Sequence, residues 1–101
     1  MTGNVIDRFE IKGRVALEYG AEGLVVIFRH DPAAAPPAPG DPVLLVRDDG
    51  WLYRGNAEDV RFEPSSNASG LFLRGLRVAD VPVGATIRWG QEVRELQNAV
   101  A

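Results

Sequence analysis

The residues best able to do acid–base or nucleophilic chemistry are few in this sequence. His30 is its only histidine, and the chain has no cysteine, so neither a histidine pair nor a thiolate is available to hold a metal ion. No serine and aspartate stand in a motif that would make His30 part of a catalytic triad. His30 follows a strand-like run and precedes a proline-rich stretch. We therefore predict that it is a plain loop residue.

Two adjacent carboxylates, Asp48 and Asp49, are the next candidates, because paired acids can transfer protons or bind a metal ion. Gly50 follows them directly, and an aromatic stretch comes after it. Asp-Gly at such a place is typical of a tight hairpin turn. We interpret the pair as turn residues, and we expect that the chain is not an enzyme and needs no cofactor or metal.

Aromatic and arginine side chains occur together on two neighbouring predicted strands. Trp51, Tyr53 and Arg54 stand on the first strand, and Arg61 and Phe62 on the second. Such a surface can stack the bases of single-stranded RNA and bind its phosphates. The alternative is that the aromatic side chains form ordinary cross-strand pairs. The net charge of -3 favours the alternative, because an acidic chain repels a phosphate backbone.

The composition is that of one small globular domain. The chain has 101 residues, of which 46% are hydrophobic and 25% charged, and these values are ordinary for a folded domain. The lack of cysteine excludes a disulfide framework. No apolar stretch approaches the ~20 residues of a membrane helix, and residues 1–8 lack the pattern of a secretory signal. We expect a cytoplasmic protein that does not enter a membrane.

Six or seven short strands with turn signals between them position these residues. Alternation over residues 5–19 puts Phe9, Ile11, Gly13 and Val15 on one face of a first strand, since side chains of a strand alternate between faces. Residues 24–28 and 43–46 are apolar on both faces, which is typical of buried strands. Further strands are predicted at residues 51–53, 60–63, 71–78 (with Gly75 as a bulge or a point of close approach) and 85–89.

The strand pattern predicts an all-β fold, most simply a small closed barrel over residues 1–90. Residues 32–42 are rich in proline and alanine and are predicted to form a loop, because proline lacks an amide donor. Residues 91–101 form a short C-terminal segment, in which Val93, Leu96 and Val100 have helical spacing.

The two strands that are apolar on both faces give a barrel of this size an apolar exterior. We expect that a second copy of the chain or a protein partner covers it. The alternative is that the C-terminal segment folds back over this face through Val93 and Leu96.

Residues 70–84 read Gly-Leu-Phe-Leu-Arg-Gly-Leu-Arg-Val-Ala-Asp-Val-Pro-Val-Gly. This stretch resembles the end of the second domain of elongation factor Tu and its relatives, where a Gly-Leu-Leu-Leu-Arg-Gly-Ile strand leads through an acidic turn into the final strand. Residues 9–15 are similar to the family's opening Phe-x-Ile-x-Gly-Arg strand, and residues 40–43 to its Gly-Asp-x-Val element. The matches together span residues 7–90.

The resemblance implies a β-barrel of the translation-protein type, a domain that in the family holds the aminoacyl end of tRNA and packs against a GTPase domain. It adds Arg74, within the motif, and Asn67 to the candidate binding surface. The family has asparagine at the position of Ala68, next to Asn67, and this chain has no phosphate loop of the GTPase type.

Composition, motifs and resemblance together predict a stand-alone, non-catalytic binding module that engages a protein or an RNA. The alternative is an interaction or inhibitor protein, of the immunity type, that imitates an elongation-factor domain. In both cases the candidate binding surface consists of the same aromatic, arginine and amide side chains: Trp51, Tyr53, Arg54, Arg61, Asn67 and Arg74.

Overall fold

Strands form in this chain where its sequence alternates or carries β-branched runs. The computed structural model describes residues 1–90 and Val93. Its strands are β1 (Thr2–Ile11), β2 (Gly23–His30), β3 (Pro42–Val46), β4 (Leu52–Asn56), β5 (Glu58–Glu63), β6 (Ala68–Arg74) and β7 (Thr86–Trp89). One short helix, α1 (Arg14–Tyr19), and a 3-10 turn (Val78–Asp80) interrupt them. Every strand pairing in this part of the chain is antiparallel, and the predicted all-β class is confirmed.

The seven strands belong to one sheet in the order β4-β3-β7-β1-β2-β6-β5. Its two edge strands, β4 and β5, are consecutive in the chain and separated only by Ala57. The sheet must therefore bend back until its two edges meet at that residue, where the chain leaves β4, the partner of β3, and enters β5, the partner of β6. No ladder joins β4 to β5 or β6 in the described residues. A barrel needs a continuous ladder, so the predicted closed barrel is not confirmed.

The inner face of the bent sheet carries the main core. Alternate residues of β2, β6 and β7 point into it, and its largest fully buried side chains are Trp89, Phe28, Leu24, Leu45, Leu71, Leu73 and Ile87. Trp89 also fixes the proline-rich loop, because its Nε1 donates to the Ala35 carbonyl at 3.0 Å. The predicted loop therefore lies between β2 and β3, and Pro42 is the first residue of β3, where a missing amide donor is tolerated.

The first strand is shorter than predicted. It ends at Ile11, and the predicted continuation through Gly13 and Val15 is wrong, since Gly13 adopts a φ of 64° and α1 follows it. A positive φ lies outside the β region of backbone conformations, so Gly13 interrupts the extended chain here. Ala16 and Tyr19, three residues apart on α1, contact the outer face of the sheet, where the Tyr19 ring lies 4.8 Å from that of Phe72.

A bulge between Val5 and Asp7 shifts the alternation of side chains along β1 by one residue. Val5 therefore faces the main core, whereas Ile11 faces the opposite side of the sheet. Phe9 and Ile11 share a face as predicted, but it is the outer one, and Phe9 remains 48% exposed.

The sixth strand runs from Ala68 to Arg74, so that it begins three residues and ends four residues earlier than predicted. Gly75 adopts a φ of 77° and donates its N–H to the Glu22 carbonyl. Gly75 therefore ends the strand, and the predicted bulge within a longer strand is wrong.

The predicted C-terminal helix over residues 91–100 lies outside the described residues, apart from Val93, which is buried. Within residues 1–90 and Val93, no helix has the length and apolar character to cross a bilayer.

Candidate functional site

Three of the six predicted surface residues meet where β4 approaches the end of β6. The rings of Trp51 and Tyr53 stack with centroids 6.5 Å apart and planes 14° from parallel. The Tyr53 hydroxyl donates to the Arg74 carbonyl at 3.2 Å. The guanidinium of Arg47 lies 4.8 Å from the Trp51 ring centroid. The aromatic pair thus runs along one chain segment, not between strands, and Arg47 covers one of its rings.

The other three predicted surface residues lie apart from this cluster. Arg54 is exposed on the outer face of β4, directly opposite Leu44 of β3. Arg61 is on β5, 3.5 Å from the carboxylate of Asp59. Asn67 is in the turn between β5 and β6 at a φ of 51°. The six residues therefore do not form one continuous surface.

Carboxylates neutralise the arginines of the aromatic cluster. Arg74 donates through Nε to Glu58 Oε2 at 2.8 Å and through Nη2 to Oε1 at 2.9 Å. This hydrogen bonding lowers the pKa of Glu58 and raises that of Arg74. Arg47 pairs in the same forked way with Asp49, and the pKa of Asp49 is lowered. A phosphate approaching these arginines would have to displace a fork-to-fork carboxylate pair.

His30 is the last residue of β2 and is buried, so the prediction of a plain loop residue is wrong. The fold places it against Ser69, a pairing that sequence reasoning missed. His30 Nδ1 lies 3.1 Å from the Asp31 carbonyl and Nε2 lies 3.1 Å from Ser69 Oγ. A carbonyl only accepts, so Nδ1 is assigned a proton, and in the neutral imidazole Nε2 then accepts from the serine hydroxyl. This is the hydrogen-bond arrangement of a nucleophile and its base. Ser69, however, is 1% exposed, and its hydrogen bond with His30 satisfies two buried polar groups.

An apolar groove lies on the outer face of β1, β2, β5 and β6. We call it the outer groove; it encloses about 350 Å³ and is lined chiefly by Phe9, Tyr19, Val25, Ile27, Arg61 and Gly70. Phe9 stands on one wall and Arg61 on the other. The prediction that the outer face is apolar is consistent with half-buried Val25 and Ile27 in its floor.

The floor of the outer groove is open because Gly70 has no side chain. A Cβ on Gly70 would meet its nearest neighbours, Val26 O and Ile27 Cγ1, at 3.8 and 3.9 Å, which is ordinary contact. At Gly3 and Gly23, by contrast, a Cβ would collide with a backbone carbonyl of the next strand. Glycine weakens a strand interior, and one that packing does not require is typical of a place where a ligand or another chain approaches.

Among the described residues, no group of three histidine, aspartate or glutamate side chains is placed to hold a metal ion. Comparison of the chain with protein-family models, with curated proteins and with solved structures finds no match. Function is therefore inferred from the geometry of the sheet, the outer groove and the paired charges.

Proposed function

We propose that this chain is a non-catalytic binding module and that a protein partner docks over the outer groove. The observation that carries this proposal is Gly70, which opens the floor of the groove beside Phe9 although packing would accept a larger residue there. An open floor beside a half-exposed phenylalanine can receive an apolar or aromatic anchor. Anchors of that kind supply most of the affinity in protein interfaces.

Phe9 supplies the apolar wall of the proposed interface. It is 48% exposed, and full burial of a phenylalanine side chain gains roughly 1.5–3 kcal/mol. Covering its exposed half therefore contributes about 1 kcal/mol before any new packing is counted. Exposed apolar surface of this kind in a concave site is typical of a protein contact.

A protein partner is favoured over RNA by the charges. The net charge is -3, and Arg47, Arg61 and Arg74 each form an ion pair with a carboxylate two to sixteen residues away. RNA binding depends on releasing counterions from phosphates through cationic side chains. Arginines that already hold carboxylates contribute little to that release.

A more specific form of the proposal follows from the sequence motif of residues 70–84 alone. In this form the chain is a barrel of the translation-protein type that imitates, or acts as, the second domain of an elongation factor. The motif supports a partner that normally contacts such a domain. Recovery of one defined protein would support imitation of such a domain, whereas recovery of aminoacyl-tRNA would point to an elongation-factor-like role in place of a protein partner.

The proposed function is tested by capture from an extract of the native cell, with and without nuclease. The wild-type chain is compared with Phe9→Asp, which places a charge on the groove wall. The matched control is Leu17→Asp, since Leu17 is an 82% exposed apolar residue on α1 that does not line the groove.

We expect the wild type and Leu17→Asp to recover one defined protein in a nuclease-resistant manner, and Phe9→Asp to recover at least about tenfold less of it. Recovery that disappears with nuclease, or equal recovery by all three chains, would contradict the proposal. Equal melting temperatures of the three chains show that loss of recovery reflects the surface and not the fold.

A further inference from the structure

The edge of β4 is a second candidate binding surface, separate from the outer groove, because no strand of the described residues pairs with it. β3 and β4 pair in regular register over five residues. At the two ends of this ladder, Arg47 N–H donates to the Trp51 carbonyl at 3.0 Å and Ala57 N–H donates to the Asp41 carbonyl at 2.7 Å. These two bonds fix the phase of the whole ladder, because hydrogen-bonded pairs alternate with non-bonded pairs in antiparallel strands.

That phase decides which backbone groups of β4 face away from β3. Tyr53 and Gly55 are in the hydrogen-bonded pairs, so their N–H and C=O groups point toward β3. Leu52, Arg54 and Asn56 are in the non-bonded pairs, and their N–H and C=O groups point toward the free edge. Within the described part of the chain no strand pairs with that edge. β4 therefore presents alternate donors and acceptors in the spacing of a sheet.

The opposite edge of the sheet, β5, is built differently. Its pairing with β6 slips between Glu58 and Arg61, and Asp59 within the slip adopts a φ of 46°. Bulges of this kind twist an edge so that it cannot template another strand. β4 has no such irregularity. The two edges thus differ, and only β4 keeps the regular backbone that strand addition needs.

We propose that β4 accepts an extended, acidic segment of the protein partner as an added antiparallel strand. This inference rests on the proposed function to the extent that the partner is a protein. The main-chain bonds to Leu52, Arg54 and Asn56 supply the pairing, as in other cases of strand addition. The side chains on the outer face of β4 select the sequence of the added segment.

The charge of Arg54 indicates which kind of segment would pair with β4. Arg54 is exposed at the centre of β4, and within the described residues no carboxylate forms an ion pair with it. In an antiparallel pair of two copies centred on β4, Arg54 would face its own counterpart, and like charges directly opposite are destabilising. A glutamate or aspartate opposite Arg54 is favourable for the same reason. Leu52, 53% exposed on the same face, favours an apolar residue next along that face of the partner.

The space beside β4 is large enough to receive the end of such a segment. A cleft of about 710 Å³ lies beside β4, and its lining includes Gly55 and Asn56 of β4 together with Glu58, Asp59 and Arg74. Asp59 is paired with Arg61. Glu58 already holds Arg74, so Arg54 is the cation available to an incoming carboxylate on β4.

The test uses two short synthetic peptides, one alternating glutamate with valine and one alternating lysine with valine. Binding to the whole chain is followed by amide chemical shifts and by hydrogen exchange. The variants are Arg54→Glu, which reverses the central charge, and Leu52→Pro, which removes an outward N–H without touching the β3 ladder. Arg14→Glu is the control, since Arg14 is exposed on α1.

We expect the glutamate peptide to bind the wild type and Arg14→Glu alike and to slow exchange at the amides of Leu52, Arg54 and Asn56. Arg54→Glu should bind it about fivefold more weakly and should prefer the lysine peptide. Leu52→Pro, checked for retention of the native amide spectrum, should also bind more weakly.

Protection at β5 instead of β4, equal binding of both peptides, indifference to Arg54→Glu, or self-association of the chain through β4 would each overturn the inference. Phe9→Asp leaves β4 intact and should still bind the glutamate peptide. Failure of the peptide at β4 would therefore leave the outer-groove proposal standing, and loss of partner capture in Phe9→Asp would not affect the β4 result.

Discussion

Single side chains in this protein illustrate how a buried polar group differs from a reactive one. The hydroxyl of Ser69 and the ring of His30 satisfy each other behind the aromatic side chains of Phe28, Phe62 and Trp89, whose ring centroids surround the imidazole at 5.5–6.1 Å. The pair has the hydrogen bond that chemistry would need and lacks the access. We therefore assign to it a role in specifying the core.

Ser69→Ala should destabilise the fold without affecting binding. The substitution leaves Nε2 of His30 without its hydrogen-bond donor inside the core, and an unsatisfied buried polar group costs about 1–3 kcal/mol. Urea unfolding measures the loss. Ser65→Ala is the matched control, because the Ser65 hydroxyl is at an exposed turn, where it donates to Glu63. Equal stabilities of the two variants would show that the buried hydrogen bond contributes nothing.

Gly70→Ala should raise stability and weaken partner binding at the same time. The added Cβ meets only ordinary contacts, and alanine in place of glycine inside a strand gains roughly 0.5–1 kcal/mol. The same methyl group begins to fill the floor of the outer groove, and Gly70→Val should fill it further. A thermal melt and partner capture are measured on the same preparations. Lower stability of Gly70→Ala would show that the fold itself needs the glycine.

At the scale of elements, β4 and β5 are consecutive strands of one segment that bends at Ala57 and pairs with a different strand on each side of the bend. β4 completes the hairpin with β3, and β5 completes the hairpin with β6. Arg74 at the end of β6 holds Glu58 at the start of β5. This ion pair fastens the segment just after its bend at Ala57.

The Glu58–Arg74 pair gives a pH dependence that can be isolated. The pKa of Glu58 is lowered by the hydrogen bonds from Arg74, below an ordinary value of 4.5. A carboxyl whose folded pKa is depressed contributes stability above its unfolded pKa and loses it as the pH falls through the folded pKa. Wild type should therefore lose more stability than Glu58→Gln between pH 5.5 and about pH 3.

Both chains titrate their other carboxylates alike, so the difference between their urea-unfolding curves isolates Glu58. Parallel losses in the two chains would mean that water screens the pair completely, as happens for many exposed ion pairs.

The elements could be predicted from the sequence wherever a local signal specifies them. The apolar runs of β2 and β3 and the Asp-Gly turn before β4 are local features, and all three are where the sequence predicts them. The end of β1 was predicted wrongly, because residues 9–15 alternate like a strand while Gly13 turns the backbone into α1. The contact of His30 with Ser69 had no local signal, since the two residues are 39 positions apart and meet only through the β2–β6 ladder.

At the scale of the whole molecule, a single bent sheet has an apolar inner face, a partly apolar outer face and two unlike edges. The inner face accounts for the fold. The outer groove and the regular edge of β4 are not part of that buried core, and both favour a protein partner. Neither could be predicted from sequence, because the β1 bulge that turns Phe9 outward and the open ladder beside β4 depend on pairing between distant segments.

The most direct test of a protein partner at the outer groove is photo-crosslinking in the native cell from a benzoylphenylalanine placed at Phe9, with Leu17 as the control position. We predict that the Phe9 position gives one cross-linked product that is a protein and resists nuclease, and that the Leu17 position gives none. A nucleic-acid product, no product from Phe9, or the same product from both positions would contradict the proposal that the outer groove binds a protein.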